Sequence, residues 1–260
     1  MDTMLSIKKE IKYGVRGSRF LILAAGLFFF ALFDPVMVKV VLPALLQSQF
    51  PGISDEVLSS MFTVSQTACV QTYMGDVFEI GTIIVVFTLC GVIAQEIRDG
   101  TLVFPVCSGK SFLSLTLSKL VVFGVALTLI TTAALIADYA YAGVLMGFEM
   151  PVLPVLRGGL LQSAYMVFLL SCLMAFGSVV NKPVAAGILT LIAAYGSRLV
   201  GDALGIEKYM PTGLLNAAAS FQTETDAALA IALIITAAVT ALLYIVAVLR
   251  LKSMELGRRQ

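Results

Sequence analysis

The chain has 260 residues, 59% of them hydrophobic and 13% charged, with a net charge of +1, against roughly 25% charged residues in an average soluble domain. That balance excludes a soluble globular protein, offers nothing to a nucleic acid, and describes a chain that lives in a bilayer. Histidine is absent, which removes the commonest general base and transition-metal ligand and points away from an enzyme. Cys69, Cys90, Cys107 and Cys172 stand far apart, with no C-x-x-C pair, so neither a disulfide framework nor a metal site is expected.

At the start, Met4, Ile7, Ile11 and Val15 recur at helical spacing, while Lys8, Lys12 and Arg16, with Lys9 and Arg19, take the other faces. The pattern predicts a basic amphipathic helix over residues 1–19 lying on the cytosolic leaflet; a solvated tail with fortuitous spacing is the plainer reading. The apolar segment that follows is too long for a signal-peptide core and has no nearby small-x-small cleavage site, so it is expected to be retained.

A bilayer core of about 30 Å takes about 20 helical residues. Six stretches fit: 20–46, 77–95, 120–146, 158–180, 184–204 and 227–250. The expected fold is an all-α integral membrane protein, a single domain with a six-helix core over 20–250 and a short tail over 251–260. With the N-terminus inside, thirteen of the seventeen Lys and Arg residues fall in cytosolic segments, and only Arg157 and Lys208 in outer ones. Both termini are therefore expected in the cytosol. The connection over 47–76 carries Asp55, Glu56 and Asp76 with no Lys or Arg, marking it as an outer loop long enough for short helices of its own. Asn181-Lys182-Pro183 makes a tight inner turn, and 205–226, interrupted by Pro211, forms a second outer segment.

Several charges fall at membrane depth. At 1.5 Å per residue Asp34 lies about 21 Å beyond Phe20 and Lys39 about 28 Å beyond it. Lys39 can snorkel outward. Asp34, followed by Pro35, can mark a kink or cap a short outer helix, or it can belong to a substrate pathway. Arg198 and Asp202 are four apart and share a face on which they can pair, as a structural ion pair or a transport site. Asp138, about 27 Å beyond Leu120, is most simply interfacial. Gly187, Gly196, Gly201 and Gly205 permit close helix contact, within the protomer or between protomers.

The second apolar run ends on Glu96, Arg98 and Asp99, followed by Gly100 and Thr101. Such a cluster can merely stop a helix; the glycine directly after it marks that stop, and another amphipathic stretch follows. Gly109-Lys110-Ser111 looks like the end of a phosphate-binding loop, but the spacing requires glycine at 104, where Phe104 stands, so the chain is not expected to bind ATP itself.

The run GVIAQEIRDGTLVFPVCSGKSFLSLTLSK, residues 91–119, resembles the first cytosolic loop of permease subunits of type-2 ATP-binding-cassette (ABC) exporters, with Glu96, Gly100, Thr101, Lys110 and Lys119 matching that pattern. The basic first helix resembles the family's elbow helix; LFDPVMVKVVLP, Pro211 and the closing Lys252-to-Leu256 run agree. Lys110 stands where arginine is more usual. The resemblance implies that Glu96, Arg98, Asp99, Gly100 and Thr101 belong to a coupling helix that docks on a separate ATPase. Two such subunits would bind the ATP and magnesium, and a second permease, identical or a sister chain, would complete the pathway. It also implies a bacterial cytoplasmic membrane and export of an amphipathic peptide, lipid or drug. The alternative is an ion- or proton-coupled carrier using Asp34, Arg198 and Asp202, with Lys39 a further intramembrane charge.

Overall fold

The protein is seen here in a computed structural model, which describes residues 2–49, 65–102, 111–221 and 227–258. Helix is the only repeating structure among them. Among the described residues six helices are long and apolar enough to cross a bilayer: α2 (Arg19–Leu45), α3 (Gln66–Arg98), α4 (Phe112–Met146), α5 (Val152–Val180), α6 (Pro183–Leu204) and α8 (Ala227–Arg258). The chain is thus a multi-pass membrane protein, its backbone groups satisfied within helices as lipid demands. An even number of crossings places both ends of the bundle on one face. α1 (Asp2–Arg16) precedes the first crossing, and α7 (Gly213–Ala219) sits between α6 and α8.

α5 is the hub. It packs against α3, α4, α6, α7 and α8, and 72% of its apolar stretch is buried against 22% for α8. α8 therefore leaves most of its surface to lipid, as do α2 and α6, whose Phe29, Leu21, Leu199 and Ile192 point outward. In a bilayer an exposed leucine costs nothing, so packing must come from close contact and small residues. Gly177 of α5 supplies one such approach, since a Cβ there would meet the Ala94 backbone nitrogen of α3 at 3.3 Å. Gly187 of α6 similarly faces Val86 and Cys90 of α3, whereas Gly196 has nothing within 4 Å.

The chain ends its helices as the sequence leads one to expect. Ser65 and Ser111 accept hydrogen bonds from the Ala68 and Ser114 amides and cap α3 and α4. Asn181 ends α5 with φ +57° and Pro183 opens α6, making the expected tight turn.

Two expectations are corrected. The third helix in the chain, α3, begins at Gln66, not near 77, so the part of the expected outer loop from 66 to 76 belongs to the membrane helix; 50–64 lie outside the described residues. Gln66, Gln71, Thr72 and Asp76 mask this extension, yet Gln66 is fully buried, donating to the Tyr139 carbonyl at 3.0 Å and accepting from the Glu149 amide at 2.8 Å. Secondly, Asp34-Pro35 neither breaks the first crossing nor caps a new helix. The helix runs through Pro35 into one wide π turn at Met37–Val41. A second π turn, Val77–Gly81, follows Asp76 in α3.

Gly177→Leu should wedge α5 away from α3 and destabilise the fold by about 1–3 kcal/mol, read as a lowered thermal midpoint of the detergent-solubilised protein. An unchanged midpoint would mean that the two helices do not meet closely there.

Candidate functional site

α3 ends where its carbonyls run out of partners, and the closing geometry is local. Gly100 adopts φ +67°; the Gly100 amide donates to the Ile97 carbonyl at 3.2 Å and the Thr101 amide to the Glu96 carbonyl at 3.0 Å. This pair of reversed bonds is a Schellman closure, and it needs a residue at ease with positive φ. It leaves Arg98 and Asp99 pointing to solvent, their side chains 57% and 43% exposed and paired to each other at 3.1 Å. Lys110 and the amphipathic stretch between Thr101 and α4 fall on 103–110, outside the described residues.

Glu96 faces the other way. Its carboxylate is buried and accepts from Lys119 Nζ of α4 at 2.8 Å; the same ammonium donates to Glu10 of α1 at 2.9 Å. Lys9, half exposed, lies 3.8 Å from Glu96 and 3.7 Å from Glu10. Two ammonium and two carboxylate groups therefore balance. Beside them Arg19 donates to the Tyr13 hydroxyl at 2.9 Å, lies 4.5 Å from that ring, and reaches Gln95 at 3.5 Å. α1, α2, α3 and α4 are tied together by this cluster on the face that bears both termini.

The first helix thus uses an unexpected side for contact. Ser6, Glu10 and Gly14, at four-residue spacing, are buried against the bundle, while Met4, Ile11 and Val15 remain exposed. An apolar stripe directed away from the protein suits a helix lying against lipid. Glu10 is the local signal: it is an acid set directly among Lys8, Lys9 and Lys12, on the same stripe as Ser6 and Gly14.

The intramembrane charges separate into two groups towards the opposite face. Asp34 is 2% exposed and Asp138 fully buried within the protein; the extension of α3 packs against α4 beside Asp138. Cys69 Sγ stands 3.9 Å from Asp138. Asp34 Oδ2, Asp138 Oδ2 and the Tyr73 hydroxyl have no hydrogen-bond partner among the described residues. Lys39, the nearest expected cation by sequence, donates instead to the Leu145 carbonyl. No group of three or more acids or cysteines among the described residues is arranged to hold a metal ion.

The second group centres on Arg198. It does not pair with Asp202; its Nε lies 4.0 Å from Glu207, and its guanidinium stacks 4.5 Å over Phe78. Burial, and then hydrogen bonding to the Asp202 carboxyl, raises Glu207 above the usual carboxylate range. Glu207 Oε1 also accepts from Asn216 at 2.8 Å. A cavity of about 130 Å³ opens beside Arg198, between α3, α6 and α7.

No family model matches this sequence, and no curated protein matches it.

Lys119→Met should leave Glu10 and Glu96 buried with Lys9 alone, costing about 3–5 kcal/mol; adding Glu96→Gln should recover part of that loss, a coupling measurable as a double-mutant cycle of thermal midpoints. In the other half, Asp138→Asn keeps the shape while removing a carboxylate that no cation of the described residues meets. Its thermal midpoint should stay level or rise by about 2–4 °C, and a clear fall would show that a negative charge is needed there.

Proposed function

We propose that this chain is the permease subunit of an ABC exporter, moving an amphipathic substrate with energy from a separate ATPase that binds the ATP and magnesium. The observation that carries the reading is the end of α3, where one helix terminus turns two faces to different uses. Arg98 and Asp99 stand out at the Gly100 turn, available to a soluble partner, while Glu96 two residues earlier accepts from Lys119, which also donates to Glu10. A push on the exposed face would pass through that buried cluster to α1, α2 and α4 together, as a rigid-body switch requires. Under this reading the face with both termini is cytosolic, α1 is the elbow helix, and a second permease, identical or a sister chain, completes the pathway. The chain itself does no bond-making chemistry.

The same geometry sets the choice of test. Changing Glu96 to lysine would place a third cation in the buried cluster and disturb the fold, so loss of a partner would be ambiguous. Arg98→Glu with Asp99→Lys reverses the exposed pair, keeps its internal attraction and leaves the cluster intact. Wild-type protein purified in mild detergent should carry a P-loop ATPase, and this double variant should lose it while eluting as a folded particle. Wild type recovered without an ATPase, from cells that express one, would sink the proposal.

The buried Asp34 and Asp138 favour a second reading, an ion- or proton-coupled carrier. Arg198 and Asp202 lend it less, since Arg198 meets Glu207 and Asp202 is exposed. That carrier would work without any ATPase and fail on neutralising Asp34.

A further inference from the structure

The cavity between α3, α6 and α7 has walls of two characters. Met74, Phe78 and Leu215 are apolar, and Glu79, Arg198 and Thr212 are polar. At about 130 Å³ it holds several times the roughly 30 Å³ share of one water. Arg198 lies about 22 Å along α6 from Pro183, in the half of the bilayer away from the termini.

Gln71 and Asn216 in this wall donate to the Ala219 carbonyl and to Glu207, whereas three other polar side chains are left incomplete by the protein. Arg198 has five N–H donors, yet its ionic neighbour, Glu207, stands 4.0 Å away and spends the same oxygen on Asn216. Its flat face is taken by Phe78, which fixes the guanidinium plane and leaves the donor edges free. Thr212 is 2% exposed, and its hydroxyl has no hydrogen-bond partner among the described residues. Glu79 makes no ion pair with any described cation. Unmet donors and an exposed carboxylate without an ion pair thus line one space, and leaving the buried Thr212 hydroxyl unmet is costly.

We propose that this cavity binds a zwitterionic headgroup, with its phosphate or carboxylate on Arg198 and Thr212 and its ammonium on Glu79. The apolar wall takes the short carbon linker between the two charges. The chemistry is shared by an aminophospholipid and by a free zwitterion such as phosphoethanolamine. The site does not depend on the ATPase reading: binding is measured on the isolated chain, so its failure leaves that reading untouched, and the reverse.

The test uses the full-length protein, stripped of lipid in detergent, titrated with dihexanoyl phosphatidylethanolamine. Dihexanoyl phosphatidylglycerol, which lacks the amine, is run beside it, with free phosphoethanolamine as competitor. The amine lipid should bind one to one, the glycerol lipid about tenfold more weakly, and R198Q and E79Q should each weaken the amine lipid about tenfold, one ionic contact's worth. T212V is the control for folding: its hydroxyl holds nothing in the protein, so stability should not fall, while affinity should drop severalfold. Competition by free phosphoethanolamine would assign recognition to the headgroup alone, and its failure would assign the site to lipid; either supports a zwitterion site. Equal binding of the two lipids, unaltered binding in E79Q, or no saturable binding would overturn the proposal.

Discussion

The fold turns on one buried ammonium. Lys119 is 1% exposed, at the start of a membrane helix, where an unpaired charge would be costly. Glu10 and Glu96 accept from it at 2.9 and 2.8 Å. Neither carboxylate comes from its own helix, so the ion can be buried only when α1, α3 and α4 are all in place. Such clusters contribute less to net stability than their Coulomb attraction suggests, because desolvation offsets most of it. What they contribute is alternatives excluded: rotate α3 by one residue, and Glu96 loses Lys119 and Lys9 together. Lipid gives helices little reason to choose one register by apolarity alone, and the cluster supplies that choice on the face where the termini lie.

The opposite half of the bundle is built on different terms. Its charges are not gathered into a neutral cluster. Asp34 and Asp138 leave carboxyl oxygens without partners, Arg198 rests on an aromatic face, and both helices that pass Asp34 and Asp76 widen into π turns directly afterwards. A π turn releases backbone groups and shifts side-chain register, and such turns gather at functional sites more than in scaffolding. The contrast lies in ion pairing rather than in hydrogen bonding: the end with the termini pairs its charges, although Glu96 Oε2 and Arg19 Nη1 have no hydrogen-bond partner among the described residues, whereas Asp34 and Asp138 meet no described cation.

The sequence made the crossings legible because apolar length is a strong signal and the bilayer imposes it. The turn at Asn181-Lys182-Pro183 was equally plain, since its residue types need that backbone. What escaped notice depended on partners distant in sequence. Gln66 through Asp76 read as a loop because amides and hydroxyls lower hydropathy, and nothing local shows that Gln66 is met by Tyr139 and Glu149. Arg198 and Asp202 have the spacing of a helical ion pair, yet the chain after α6 brings Glu207 back beside Arg198 and Phe78 comes from α3. Helical spacing states which residues can meet, and tertiary structure chooses. In the ion cluster on the face of the termini, Lys119 and Glu96 are visible as charges near helix ends, but Glu10 sits in a helix whose pattern reads as basic.

The position of Glu96 changes what the charge cluster at the end of α3 means. A dense group of charges looks like a single surface, yet helical geometry turns residue 96 about 200° away from residue 98. One residue is therefore internal and its neighbours external, and the Gly100 turn fixes the boundary between them. A ligand or partner that engaged Arg98 and Asp99 would be separated from Lys119 by a single helical turn of α3. No flexible linker intervenes, so displacement of that turn must either move α1 and α4 with it or break an ion pair that the surrounding lipid cannot replace.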